Sequence, residues 1–188
     1  MSDLRTAANG AYFDGLIQVK ELGPQGMITV RGDFADASFT GVLTEVVGAE
    51  MPGQRETRLN GDRGILWMSP DELLVLCTYA EAQELADKLA EALAGQHALV
   101  ANVSDARAVF TLTGGDIREV IAKVAPVDMS RDQFTTGMIR RTRLAQVAAA
   151  FWLEDDNTAR IVCFRSVGEY MFNLLKTSAT PGSAVGFL

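Results

Sequence analysis

A chain of 188 residues can form one large domain or two small ones, with a sizeable core. Its net charge of −7 argues against a nucleic-acid partner, because a phosphate backbone needs clustered Lys and Arg. No apolar stretch approaches the roughly 20 residues of a membrane-spanning helix, and the opening MSDLRTAANG lacks the basic-then-apolar pattern of a secretory signal.

Residues 1–11 read as a polar arm. Ile17-Gln18-Val19-Lys20 alternates apolar and polar and predicts a strand. Gly23-Pro24-Gln25-Gly26 predicts a turn, and Met27–Arg31 a second strand. Gly32-Asp33 leads into a helix whose buried face is Phe39, Val42, Leu43, Val46 and Val47, ended by Gly48 and Pro52. Arg55–Arg63 is polar and suits a short edge strand. Gly64–Cys77, GILWMSPDELLVLC, holds two apolar runs around Ser-Pro-Asp-Glu and predicts a hairpin at the core. Thr78-Tyr79-Ala80-Glu81 has the spacing of a capping box, and the helix behind it buries Leu85, Leu89 and Leu93, with Glu84 and Lys88 paired on its wet side. Gly95 closes that helix.

After His97 the order restarts. Leu99–Val103 and Arg107–Thr113 predict strands, and Gly114-Gly115-Asp116 opens a helix with a second capping-box spacing at Asp116–Glu119. That helix buries Ile117, Val120, Ile121 and Val124 and stops at Pro126. A polar loop reaches about Gly137. The basic stretch Ile139–Leu144 follows, then strand Val147–Leu153, loop Glu154–Thr158 and strand Ala159–Phe164. Ser166–Glu169 is a third box, ahead of a helix carrying Tyr170, Met171, Leu174 and Leu175. The tail 177–188 is loop-like, with Val185, Phe187 and Leu188 as docking side chains.

The halves correspond. MITVRGD matches VFTLTGGD, VLTEVVGAEM matches VIAKVAPVDM, and LWM matches FWL at Trp67 and Trp152 (152 − 67 = 85). Cys77 and Cys163 correspond at nearly the same offset (163 − 77 = 86). The expected fold is α+β, with internally duplicated β-β-α-β-β-α units at about 12–95 and 97–180 forming antiparallel sheet covered by helices within a single pseudo-two-fold domain. The Trp pair and the Cys pair should each occupy equivalent positions.

Chemistry-bearing residues are sparse. Arg140, Arg141 and Arg143 make the dense basic cluster of an acidic chain. They are candidates for holding a carboxylate-rich ligand such as folate, or an acidic partner surface, through charge-assisted hydrogen bonds; a solvated strand face is the alternative. Gly114-Gly115-Asp116 suits a turn and helix cap rather than a phosphate loop, whose spacing it lacks. His97 falls at a helix–strand junction with no Ser or Cys pattern beside it, which predicts a surface or capping role. Asp155-Asp156 suits a solvated turn. The two Trp side chains predict core or interface anchors. Both cysteines lie in apolar runs, predicting buried free thiols in a reducing cytoplasm. With no nucleophile–base pair and no metal-ligand spacing, no catalytic or metal residue is assigned, and a binding or assembly module is favoured.

On particular segments the chain resembles the gamma-subunit family of heterotetrameric sarcosine oxidases. They are GILWMSPDELLVL, VANVSDARAVFTLTGGDIREVIAKVAPVDMS, Phe134 followed by TTGMIRRTRLAQVAAAFWL, and RIVCFRSVGEYMFNLLKTSA, in the family's order over roughly residues 60–180. Val103-Ser104-Asp105 to Leu112, Arg141-Thr142 with Leu144, and Arg165-Ser166 with Tyr170 are the more specific parts. The resemblance implies a bacterial cytoplasmic complex in which alpha, beta and delta subunits are the partners. That complex demethylates sarcosine to glycine, passes electrons to oxygen, and delivers the one-carbon unit to tetrahydrofolate or releases it as formaldehyde. It places FAD, FMN and NAD with the two larger subunits, zinc with the smallest, and no cofactor on this chain. It also implies a fold like the folate-binding domain of aminomethyltransferases and a non-catalytic role, docked on the large subunit and stabilising the complex. A stand-alone folate-binding carrier or one-carbon transfer protein is the alternative reading.

Overall fold

The structure, a computed structural model, describes residues 5–186. In chain order the elements are β1 (Tyr12–Asp14), β2 (Gln18–Glu21), β3 (Gly26–Arg31), α1 (Ala37–Val47), β4 (Thr57–Asn60), β5 (Arg63–Ser69), β6 (Glu72–Cys77), α2 (Ala82–Ala92) and β7 (Leu99–Asn102). There follow β8 (Arg107–Thr113), α3 (Ile117–Ala122), β9 (Ile139–Leu144), β10 (Val147–Asp155), β11 (Thr158–Phe164) and α4 (Gly168–Ser178). Among the described residues no helix is long and apolar enough to cross a membrane.

The chain divides into two compact units. One is the contiguous segment Gln25–Ser104; the other joins the segment ending at Pro24 to the segment beginning at Asp105. The contiguous unit is an antiparallel sheet in the order β4-β5-β6-β3-β7. Alternate residues Ile28, Val30, Ile65, Leu73, Val75 and Cys77 pack on Phe39, Leu43 and Val47 of α1 and on Leu85 and Leu89 of α2. The intervening Met27, Leu66 and Leu74 are buried as well, so both faces of the central strands are removed from water. α1 begins at Asp36, whose carboxylate accepts from the Ser38 N–H at 2.8 Å, and ends at Gly48 in the left-handed region. Asp33, three residues upstream, accepts from Ala35 N–H in a turn of its own.

The other unit is a six-stranded sheet in the order β1-β2-β8-β11-β10-β9. Phe110, Leu112, Phe151, Leu153, Ile161 and Cys163 bury against Ile117, Val120 and Ile121 of α3 and Met171 and Leu175 of α4. Tyr170 of α4 is half exposed. Phe134, from the loop before β9, meets Phe151 edge-on at 5.3 Å.

The units are not the contiguous halves about 12–95 and 97–180 that the repeat predicts, because each repeat's first strand lies in the other's sheet. β2 pairs with β8 and β7 pairs with β3. Gly23-Pro24 makes no hairpin of β2 and β3, which belong to different sheets. The two sheets nonetheless carry the same register. Ile28 lies opposite Val75 and Asn102, and Phe110 lies opposite Ile161 and Glu21. Val103 N–H donates to Met27 C=O at 2.8 Å, and Leu22 N–H donates to Val109 C=O at 2.9 Å, the same bond in each unit.

The hairpins β5–β6 and β10–β11 each slip register two residues before the turn, between Trp67 and Ser69 and between Leu153 and Asp155. Cys77 and Cys163 are equivalent, opposite Gly26 and Ala108. The tryptophans are not. Trp67 faces Leu73, and its counterpart is Leu153, which faces Ala159; Trp152 is one position off and so points to the opposite face of its sheet. Trp152 is buried and Trp67 half-buried.

None of the three capping-box spacings caps a helix through its first side chain. Before α2 and α4 the motif lies on a 3-10 turn, Tyr79–Glu81 and Arg165–Val167, which displaces the helix start. Glu81 nonetheless reaches back to the Thr78 N–H, as a capping box requires, and also pairs with Arg63 at 3.0 Å. Both cysteines are free, and burial pushes the Cys77 thiol up to about 11 and the Cys163 thiol up to about 12, so neither forms a thiolate at neutral pH.

Candidate docking site

Arg140, Arg141 and Arg143 all lie on β9, the last strand of the six-stranded sheet, beyond which no strand lies among the described residues. Strand alternation separates them. Arg140 shares the helix-facing side with Phe151 and stands over the Phe134 ring at 5.1 Å. Arg141 and Arg143 point to the other face, both exposed, and their cross-strand neighbours are Ala150 and Ala148. β9 turns into β10 through Ala145-Gln146, with Ala145 at φ 50° and its N–H donating to Val124 C=O at 2.7 Å. A two-residue turn closes on a doubly hydrogen-bonded pair, here Leu144 with Val147. The alternation then gives hydrogen-bonded pairs at Thr142–Ala149 and Arg140–Phe151, and aims the backbone N–H and C=O of Arg141 and Arg143 at the outer edge.

Arg118 on α3 holds the loop that leads into β9. Its guanidinium is buried and donates to Met129 C=O at 2.9 Å and Phe134 C=O at 2.7 Å, with Asp156 at 3.4 Å. Asp156 also approaches Arg131, and Asp155 accepts from Asn157 N–H, so Asp155-Asp156 is a turn with ion pairs. Gly114 N–H donates to Asn157 C=O, and α3 behind it has only six residues, which fits a turn rather than an anion site. His97 is exposed in the bend before β7. Among the described residues no three His, Cys, Asp or Glu side chains converge as metal ligands.

Other polar groups are built into the fold in ways that the sequence did not signal. Glu21, at the end of β2, is 2% exposed and gathers the N-terminal arm: Thr6 Oγ1 donates to it at 2.6 Å, and Ala8 and Gly10 N–H each at 2.8 Å. Arg5, Thr6 and Asn9 of that arm line an open cleft of about 640 Å³ with Phe164, Arg165 and Ser166, and Arg107 stacks on Phe164 at 4.2 Å. A second cleft, about 590 Å³, lies in the contiguous unit between Gly48–Met51 and Arg58–Asn60. Only the 3.6-residue spacing of Arg118 and Glu119 beside Ile117 and Ile121 hinted that charged side chains share a buried helix.

Glu119 clamps the tail. Its carboxylate accepts from Val185 and Gly186 N–H, and Lys123 Nζ donates to Ser178 C=O and Ser183 Oγ. The tail thus docks by backbone, while the Val185 side chain is exposed; Phe187 and Leu188 lie outside the described residues. The bond from Val185, then that from Gly186, holds the Glu119 carboxyl below the ordinary glutamate range. A lowered folded pKa means the clamp is fully present above the unfolded value, about 4.3, and is lost as pH falls through the folded one. Amide hydrogen exchange should show Val185 and Gly186 protected at pH 7 and exposed in acid below that range; equal protection in Glu119→Gln and wild type would refute the clamp.

The family model described as "Sarcosine oxidase, gamma subunit family" matches residues 31–180. Among solved structures, a chain of heterotetrameric sarcosine oxidase from Corynebacterium sp. U-96, in complex with pyrrole 2-carboxylate, is similar at a TM-score of 0.83 and 22% identity, covering 94% of this chain and 91% of that one. The glycine cleavage system aminomethyltransferase T from Bartonella henselae is similar at a TM-score of 0.60 and 11% identity, over 82% of this chain and 44% of that one. This chain therefore corresponds to less than half of that protein, and at these identities the likeness is one of fold. No curated protein matches the sequence significantly. With most of its length, both hairpins and the β9 edge inside the matched region, the chain belongs to the sarcosine oxidase gamma subunit family.

Proposed function

We propose that the chain is a non-catalytic subunit that docks on the large subunit of a heterotetrameric sarcosine oxidase and stabilises the assembled enzyme. The family match over residues 31–180 is the observation that carries this reading. Its side-chain chemistry agrees with it: both thiols are held protonated by burial, and the one histidine stands on the surface. In this reading alpha, beta and delta chains are the partners, the complex is a cytoplasmic oxidoreductase that removes the methyl group of sarcosine to leave glycine, and FAD, FMN, NAD, tetrahydrofolate and zinc are held by the other chains. Co-expression with and without this chain tests it. A lower yield or thermal stability of the oxidase without it is expected, and an equally active, equally stable three-subunit enzyme would end the proposal.

A folate carrier is the second reading, favoured by the fold shared with an aminomethyltransferase and by Arg141 and Arg143 as partners for a glutamate tail. A pterin ring wants a walled pocket, whereas these arginines stand on an edge strand beside alanines. Calorimetry with tetrahydrofolate separates the readings: micromolar binding lost in Arg141→Ala and Arg143→Ala would establish the carrier, and its absence is expected.

A further inference from the structure

We infer that the cleft between the N-terminal arm and the start of α4 is a docking site for an extended, acidic segment of the large subunit. The inference rests on the subunit reading above and names a surface that reading leaves open. The cleft, about 640 Å³, is lined wholly by residues of the six-stranded unit. One side is the arm, with Arg5, Thr6 and Asn9; the other is Phe164, Arg165 and Ser166, where β11 runs through a 3-10 turn into α4. Groups outside the cleft fix both sides. Glu21 accepts the three donors of the arm, and Gly168 lets Ala7 come so near that an added Cβ would stand 2.4 Å from Ala7 Cβ. Arg107 stacks on Phe164 at 4.2 Å, yet the ring stays 50% exposed. A site held in this way loses little binding free energy to ordering when it is filled.

Chemistry selects the occupant. The chain carries −7 overall, yet Arg5 and Arg165 both line this cleft and none of the described residues lining it is acidic. Arg165 donates one guanidinium N–H to the Arg5 C=O, which ties the two sides together. A guanidinium has five donors, so the rest can serve a carboxylate. Arginine beside a half-exposed aromatic ring is the composition of an interface hot spot. Small ligands are held in cavities that cover most of their surface. This cleft is open, so its occupant is carried by a larger body: an Asp or Glu flanked by an apolar side chain for the Phe164 ring. A second copy meeting this one cleft to cleft would set Arg5 and Arg165 against their own copies, which opposes a homodimer through this face.

Four chains are co-expressed with the other three subunits: wild type, Phe164→Ala, the double variant Arg5→Glu with Arg165→Glu, and the double variant Arg5→Lys with Arg165→Lys. Each is scored for retention on a tagged large subunit at low and high salt. Circular dichroism of each full chain reports folding, and light scattering of the isolated chain reports self-association. Expected is an affinity lower by about tenfold or more for the double glutamate variant and severalfold lower for Phe164→Ala. The double lysine variant should stay near wild type, salt should weaken wild type, and the isolated chain should be a monomer. Retention of the double glutamate variant at the wild-type level overturns the docking cleft and leaves the subunit reading standing. So does an isolated-chain dimer that this variant disperses. A double lysine variant as poor as the glutamate one overturns the acidic occupant, because the charge was kept. Failure of wild type itself to be retained removes the subunit reading and the inference with it. Should the double glutamate variant misfold, Phe164→Ala decides, and its retention at the wild-type level overturns the cleft.

Discussion

Replacing Arg118 by leucine is expected to cost about 3 kcal/mol of folding stability, read as a lowered urea midpoint at unchanged slope. The side chain is 4% exposed, and its two shortest bonds go to backbone carbonyls, Met129 and Phe134, that lie where water does not reach easily. Leucine fills much of the stem volume but leaves both acceptors without a donor, each at about 1–3 kcal/mol. The charge itself contributes less. Asp156 is 68% exposed at 3.4 Å, so Asp156→Asn should stay within about 0.5 kcal/mol of wild type. An inverted ranking, with Asp156 the costlier loss, would show that the ion pair rather than the carbonyl clamp holds the loop. Because Phe134 carries Arg140 above it, Arg118→Leu should also loosen the start of β9.

Glu21→Ala is expected to cost about 2–3 kcal/mol and to free the N-terminal arm to proteases. One buried carboxylate receives three donors, from Thr6, Ala8 and Gly10. Glu21→Gln keeps one acceptor oxygen and should lose roughly 1 kcal/mol. Gly168→Ala tests the same seat from the other side, since a Cβ there would stand 2.4 Å from Ala7 Cβ and push the arm off α4. Rapid cleavage near residue 10 in Glu21→Ala, with wild type resistant, is the result to look for; equal resistance would mean the arm is held by something else.

Composition and periodicity reveal the strands and helices well, because each buries an apolar face whose spacing is set by backbone geometry. Ile17–Lys20, Met27–Arg31 and both hairpins lie where alternation puts them. Pairing partners were harder to read. A strand's own sequence says which face is buried, not which neighbour it meets, so the exchange of β2 and β7 left no local trace. The Trp67–Trp152 match shows a second limit: chemically similar residues one position apart in a strand occupy opposite faces, and a repeat aligned on them is wrong by a whole face although only by one residue. The arginine cluster was legible as a cluster, but its division into one inward and two outward side chains depends on the β9–β10 register. Glu21, Arg118 and Glu119 escaped notice because burial of a charge is decided by loops and termini that pack over it from elsewhere in the chain.

The exchanged strands set the timetable of synthesis. Gln25–Ser104 is contiguous and can close its sheet as soon as Leu99–Asn102 has left the ribosome. β2 has no such option: Gln18 pairs with Thr113, translated 95 residues later (113 − 18), which at ordinary elongation speeds is on the order of 5–20 s. Throughout that interval β2 can pair with β1 alone and lacks its β8 partner, which leaves its other edge exposed to chaperones and proteases. Slowing translation just after residue 104 should therefore leave the first 24 residues cleavable while Gln25–Ser104 is already resistant.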